Sequence, residues 1–207
     1  MQACHLVSTQ PGKPKFRLAQ AETEAVPNQL NRAFHPTTPN RVWCGDITYL
    51  RVAGQWAYLA VVLDLYARRV VGWQVSAKPD TTLVLQALSR AVETRQPGRG
   101  LLFHSDQGVQ YRSQRYQHYL KQQQIRPSMS RKGNCWDNAP MERLFRSLKT
   151  EWMPRPGYRS LQETSQDVGE YLMGYYNRER VHSYNGYVTP ERQENQWQPP
   201  KPVSKIT

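Results

Sequence analysis

Between residues 41 and 76 the chain passes through three β-patterned segments, 41–52, 55–65 and 68–76. Their connections, at Ala53-Gly54 and Tyr66-Ala67, leave room only for tight turns, so the three strands form an antiparallel meander. Tyr58-Leu59-Ala60-Val61-Val62-Leu63 is continuously apolar, as a central strand covered on both faces should be. Pro79-Asp80-Thr81 then opens a helix in which Leu83, Leu85, Ala87, Leu88, Ala91 and Val92 make a broad apolar stripe. A strand at 100–106, a helix near 113–123 and a short strand near 125–129 follow. Strand–helix–strand at that spacing implies a parallel pair added to the meander.

A five-stranded mixed sheet flanked by helices describes a ribonuclease-H-like α/β domain, a fold that places ligands at strand ends beside a crossover. Residues 130–137 are basic and carry a glycine, which predicts a mobile loop. Asn138 or Asp137 can cap the next helix, with Pro140 in its first turn. Met141, Leu144, Phe145, Leu148 and Trp152 give that helix one apolar face. A last helix, about 160–180, carries Val168, Tyr171, Leu172, Tyr175 and Tyr176 at core spacing, so its tyrosines are read as packing rather than base stacking. The expected organisation is an N-terminal arm (1–40), a core (41–195) and a flexible Pro-rich tail (196–207).

The chain is strongly basic. Lys and Arg number 28 against 16 Asp and Glu, a net charge of +12. That excess favours a polyanionic partner, nucleic acid first, because each phosphate neutralised by Lys or Arg releases counterions. No apolar run approaches the ~20 residues of a membrane span, and Met1-Gln2-Ala3-Cys4-His5 does not begin like a secretory signal. Cys4, Cys44 and Cys135 are odd in number and scattered, giving neither a disulfide framework nor paired zinc spacing. A reducing cytoplasm is expected.

Three acids occupy settings a buried carboxylate would avoid. Asp46 interrupts Val42-Trp43-Cys44-Gly45-Asp46-Ile47-Thr48-Tyr49-Leu50, Asp106 ends Leu101-Leu102-Phe103-His104-Ser105-Asp106, and Glu142 sits one turn into the amphipathic helix. Buried charges need a partner or a metal, and three converging carboxylates in a basic chain suggest a magnesium site that works on a phosphate backbone. On its helix Glu142 lies in one stripe with Arg146 and Lys149. Taken alone that stripe reads equally well as a surface ion pair.

Trp43-Cys44-Gly45-Asp46-Ile47-Thr48-Tyr49, His104-Ser105-Asp106-Gln107-Gly108 and Asn134-Cys135-Trp136-Asp137-Asn138-Ala139-Pro140-Met141-Glu142 resemble the catalytic motifs of bacterial insertion-sequence transposases. The resemblance is to the IS-three family of the retroviral-integrase superfamily. It extends through Lys149-Thr150-Glu151, Tyr176-Asn177-Arg178 and Thr189-Pro190, covering about 41–195. It implies an Asp-Asp-Glu transposase with Asp46, Asp106 and Glu142 as both catalytic and metal-ligating residues. Two Mg²⁺ ions per site, or Mn²⁺, would sit between them, activating a water or 3′-hydroxyl and stabilising the leaving oxygen. Arg146 and Lys149 from the helix, and Arg131 and Lys132 from the loop, would hold DNA phosphates, as would Arg178, Arg180 and His182. Joining element ends to a target implies at least a homodimer on DNA, in a bacterial, nucleoid-associated setting. Family members usually carry an N-terminal helix-turn-helix region. Here its tail is sought around Leu6-Val7-Ser8 and Asn28-Gln29-Leu30-Asn31-Arg32, and an upstream helix-turn-helix reading-frame product is an expected partner.

Other residues compete for these roles. Asp64 is a rival first acid, although a local salt bridge to Arg68 or Arg69 is the cheaper account. His104 either supports Asp106 or serves the sheet alone. A hydrolytic nuclease of the same fold, or a non-catalytic DNA-binding remnant, stays open beside strand transfer.

Overall fold

The computed structural model describes residues 23–198. Strands β1 (Val42–Val52), β2 (Gln55–Asp64) and β3 (Arg69–Ser76) form the meander, followed by α1 (Thr81–Arg95), β4 (Leu102–Ser105), α2 (Gln114–Gln122) and β5 (Arg126–Met129). The sheet order is β3-β2-β1-β4-β5. β1 pairs antiparallel with β2 and parallel with β4, and β4 pairs parallel with β5, which is the mixed sheet the sequence implied. Asp80 opens α1 by accepting from the Leu83 N–H.

Alternation along the strands sorts side chains into two cores. Trp43, Ala60, Val62 and Val71 meet α1 and α2 on one face. Cys44, Leu59, Val61 and Leu63 meet Met141, Leu144, Leu148, Tyr171 and Tyr176 on the other. β2, buried almost throughout, is the covered central strand. Gly72 lets α1 lie close on the sheet: a Cβ there would stand 2.3 Å from the Ala87 carbonyl oxygen.

On the second face, α3 (Ala139–Ser147) runs on into a π-helical stretch, Leu148–Trp152, and α4 (Leu161–Gly169) into another, Glu170–Glu179. Trp152 stacks on Tyr175 and meets Tyr171, so the tyrosines do pack. A short helix, α5 (Pro190–Asn195), is the last described element; Arg69 holds both Glu191 and Glu194.

Two expectations change here. Residues 23–40 are not an arm apart from the domain: Leu30 is buried in the second core, and the N–H groups of Gln29 and Leu30 donate to Ser128 Oγ. Nor do Asn28–Arg32 continue a helix. Asn31 and Arg32 both take left-handed backbone angles (φ 44° and 61°), and Asn28 Oδ1 accepts from the Asn31 N–H in a tight turn. Leu6-Val7-Ser8, Cys4 and the tail from Pro199 on lie outside the described residues.

Candidate active site

Parallel pairing decides where the first two acids meet. β1 and β4 align Val42 with Leu102 and Cys44 with His104; continuing that register by two residues sets Asp46 beside Asp106. Asp46 shares strand parity with Cys44 and Leu50, which face the α3 side of the sheet. A glycine precedes it for steric reasons, since a Cβ on Gly45 would lie 2.4 Å from Phe103 Cζ. Asp46 Oδ1 accepts from the Ile47 N–H at 2.8 Å. Asp106 Oδ1 accepts from the Gly108 N–H at 2.9 Å, and a Cβ on Gly108 would crowd that same oxygen at 2.9 Å.

Burial and then the charge of Asp106 hold the Asp46 carboxyl well above the usual carboxylate range; Glu142 adds to this, while the Ile47 N–H and Lys149 oppose it. Burial raises Asp106 too, against its bond from Gly108. Burial draws the Lys149 ammonium down and Asp46 draws it back up. These mutual effects place Asp46, Asp106, Glu142 and Lys149 within one electrostatic neighbourhood. Glu142 is nonetheless exposed on α3, and among the described residues no three His, Cys, Asp or Glu side chains stand close enough to hold an ion together. Two acids are thus brought side by side, and the third flanks them from the solvent side. A cavity of about 460 Å³ opens at the pair, walled by Ile47, Tyr49, Tyr58 and Gln107–Tyr111.

The start of α3 is tied down differently from the sequence reading. Neither Asp137 nor Asn138 caps it through its side chain. Asn138 Nδ2 instead reaches the Gly45 carbonyl oxygen at 3.4 Å, linking α3 to the residue before Asp46. Asp137 is fully buried and accepts from Arg131 Nε and Nη2, both at 2.9 Å, from Arg32 Nε at 2.8 Å and from Asn28 Nδ2 at 3.0 Å. Arg131 above all holds its carboxyl far below the usual range. The loop expected to be mobile therefore ends in a clasped 3-10 turn, Cys135–Asn138, with Trp136 turned outward.

The candidate DNA contacts divide. Lys132, Arg146 and Lys149 are exposed, and Arg178 is exposed with Glu191 3.6 Å away. Arg131 is engaged by Asp137. Arg180 is engaged bidentately by Glu151, at 2.6 and 2.7 Å. His182 is half-buried and edge-on to Tyr176, and burial followed by Arg180 pushes its pKa down to about 4. That shift favours the neutral ring near pH 7. Asp64 is buried and accepts from the Asn40 and Tyr66 N–H groups and from Trp43 Nε1, with Arg95 3.7 Å away; its partners are not Arg68 or Arg69. His104 bridges Ser128 Oγ at 2.9 Å and Ser130 Oγ at 3.1 Å, the sheet role. Cys44 is buried, its pKa pushed up to about 12, and therefore inert. No described helix is long and apolar enough to cross a membrane.

Sequence reasoning missed the supporting residues Asn28, Arg32 and Gln107, the last of which donates to the Ser130 carbonyl at 2.9 Å. The glycines at 45 and 108, each within two residues of an acid, were the legible signal for a crowded carboxylate.

The family described as Integrase core domain matches residues 36–135, and a second family of the same description matches 123–190. The chain is 41% identical over 165 residues to the transposase for insertion sequence element IS904 of Lactococcus lactis subsp. lactis (strain IL1403), covering 80% of this chain and 65% of that one. It is 43% identical over 168 residues to transposase InsF for insertion sequence IS3A of Escherichia coli (strain K12), covering 81% and 58%. It thus spans less than two thirds of the length of these relatives. Among solved structures, the simian T-cell lymphotropic virus intasome in complex with PP2A regulatory subunit B56 gamma aligns with TM-score 0.63 at 18% identity, covering 92% of this chain and 66% of that one. The HTLV-2 integrase catalytic core domain in complex with magnesium aligns at 0.56 and 19%, covering 76% and 97%. The sheet therefore has the fold of retroviral integrase cores, the ribonuclease-H-like arrangement expected. Two matches of one description running from 36 to 190, with relatives above 40% identity across four fifths of the chain, establish that it belongs to the integrase-core family, alongside the transposases of bacterial insertion sequences.

Proposed function

We propose that the chain is the catalytic part of a DNA transposase that cleaves the 3′ ends of an insertion-sequence element and joins them to target DNA. The observation that carries this reading is the in-register pair Asp46 and Asp106, set beside Lys149 with Glu142 on the adjoining helix. The donor set suits a hard divalent cation: all its groups are carboxylates, and a cation offsets the burial that raises both aspartates and the charge of Asp106 that adds to it at Asp46. Asp46 and Asp106 would hold it, with Glu142 as third donor. Mg²⁺ and Mn²⁺ both fit oxygen ligands, and two ions per site follows the family resemblance. When bound, such ions activate a water or 3′-hydroxyl and stabilise the leaving oxygen.

The chain's own groups do the positioning. Lys149 meets the negative charge of the reacting phosphate, while Lys132, Arg146 and Arg178 fix the flanking backbone. Asn138 keeps α3, and with it Glu142, in place against β1. Nothing in this arrangement calls for a covalent protein–DNA link, so one site serves both cutting and joining. Two element ends require at least two copies on DNA. The upstream helix-turn-helix product belongs to the same assembly as the element that finds those ends. The reaction places the protein in the bacterial cytoplasm.

The test is incubation of the chain with a labelled, pre-cut DNA end, plasmid target and Mg²⁺. Joined product supports strand transfer. Nicked target alone replaces it with a hydrolytic nuclease, and neither product, with DNA still bound, supports the non-catalytic remnant.

A further inference from the structure

A cavity of about 580 Å³ opens between α3, its π-helical continuation and the segment after Glu179, and it shares no wall residue with the one beside Asp46. Arg68, Arg143, Arg146 and Arg180 line it. Glu151, bidentate to Arg180, is the acid in that wall, so three guanidiniums have no carboxylate partner there among the described residues. Two wall nitrogens, Arg68 Nη1 and His182 Nε2, are buried without a hydrogen-bond partner. Both are held where they are: Arg68 lies 3.9 Å over the Tyr184 ring and donates through Nη2 to the Phe34 carbonyl, while His182 is pinned edge-on to Tyr176. A buried polar atom left unpaired is costly and demands an explanation. One acceptor-rich anion would satisfy Arg68 Nη1 directly, and His182 Nε2 once the ring carries a proton there, the other ring nitrogen being given to the Tyr176 backbone.

We propose that this cavity is a second DNA subsite, taking one nucleotide of the strand that crosses α3, with its phosphate held by Arg143 and Arg146 above the unpaired Arg68 and His182 nitrogens. The inference rests on the transposase reading. Forked guanidiniums match phosphate oxygens bidentately, and the volume falls within the roughly 300–1,000 Å³ of small-molecule sites. α3 carries Glu142, and its π-helical continuation Lys149, toward Asp46, while α3 presents Arg143 and Arg146 to this cavity, so a strand leaving the first site meets the second. The exposed Val181 offers an apolar lip to sugar or base.

The probe is the 5′-phosphorylated dinucleotide pTpT, added without divalent metal to the full chain while imidazole resonances are followed by NMR. His182 is assigned by the signal lost in His182→Gln. The expected result is a saturable shift of the His182 signal, an affinity loss of tenfold or more in Arg143→Ala, and an unchanged titration in Asp106→Asn. A stationary His182 signal, an unaffected Arg143→Ala variant, or equally tight binding of inorganic phosphate would each overturn it. If His182→Gln unfolds, Arg143→Ala on its exposed side chain still decides the matter by pTpT affinity. Joining activity with no His182 shift defeats this inference alone; a shift without joining leaves the subsite standing and defeats the transposase reading.

Discussion

Asp46 and Asp106 owe their closeness to strand register and their exact seating to two glycines, so their substitution should act on chemistry rather than on folding. Asp106→Asn removes a carboxylate without touching a phosphate contact. Cleavage and joining should fall below detection while DNA affinity, read by fluorescence anisotropy, stays within about twofold; retained activity would displace Asp106 from the site. His104 makes a second prediction. Burial pushes its pKa down to about 4, below its unfolded value of about 6.5, so its neutral form contributes stability that is complete above pH ~6.5 and lost as pH falls toward 4. The stability margin of the native chain over His104→Gln, measured by urea unfolding, should therefore shrink by up to roughly 3 kcal/mol across that window. A margin independent of pH would mean that His104 is not buried neutral. The acids were legible in the sequence because each breaks or ends an apolar run. The engagement of Arg180 and the neutrality of His182 were not, because Glu151 lies 29 residues from Arg180 and no local period records such a meeting.

At the level of elements, the meander was readable to within a residue at each strand end, since period-two alternation and two-residue turns leave little freedom. The π-helical stretches escaped notice. Met141, Leu144, Phe145, Leu148 and Trp152 fit an unbroken α-helical face, and the widening after Ser147 leaves those apolar positions inward-facing. α5 escaped as well: its sequence, Pro-Glu-Arg-Gln-Glu-Asn, is polar, and its hold on the domain comes from Arg69 and Arg95, about a hundred residues upstream. The contact of α1 with the sheet gives the prediction at this scale. Gly72→Ala drives a methyl group against the Ala87 carbonyl and the Ala91 side chain, a backbone contact that cannot yield by rotamer change. We expect a loss of about 3 kcal/mol in chemical denaturation; a loss under 0.5 kcal/mol would show that α1 shifts freely on the sheet.

For the whole molecule, charge and fold combine in two further measurements. Mg²⁺ or Mn²⁺ should raise the melting temperature of the native chain, because a ligand bound only by the folded state stabilises it, and should leave that of Asp106→Asn nearly unmoved; equal shifts would place the ion elsewhere. Lys149→Ala should weaken DNA binding and lower the slope of log affinity against log salt by about one. An unchanged slope would take Lys149 out of the interface. The net charge of +12 pointed from composition to a polyanionic partner, but not to which cations stay free to meet one, since Asp137 engages Arg32 and Arg131 and Glu151 engages Arg180. Asp137 also joins parts of the chain that are far apart in sequence. Asn28 and Arg32 grasp its carboxylate, and the next residue, Asn138, touches the backbone beside Asp46. A tug on residues 28–32 is thus felt two hydrogen bonds later at β1. A fragment trimmed to begin at β1 would keep Asp46, Asp106 and Glu142 and still lose this latch, so a force applied ahead of β1 would have a mechanical handle on the site.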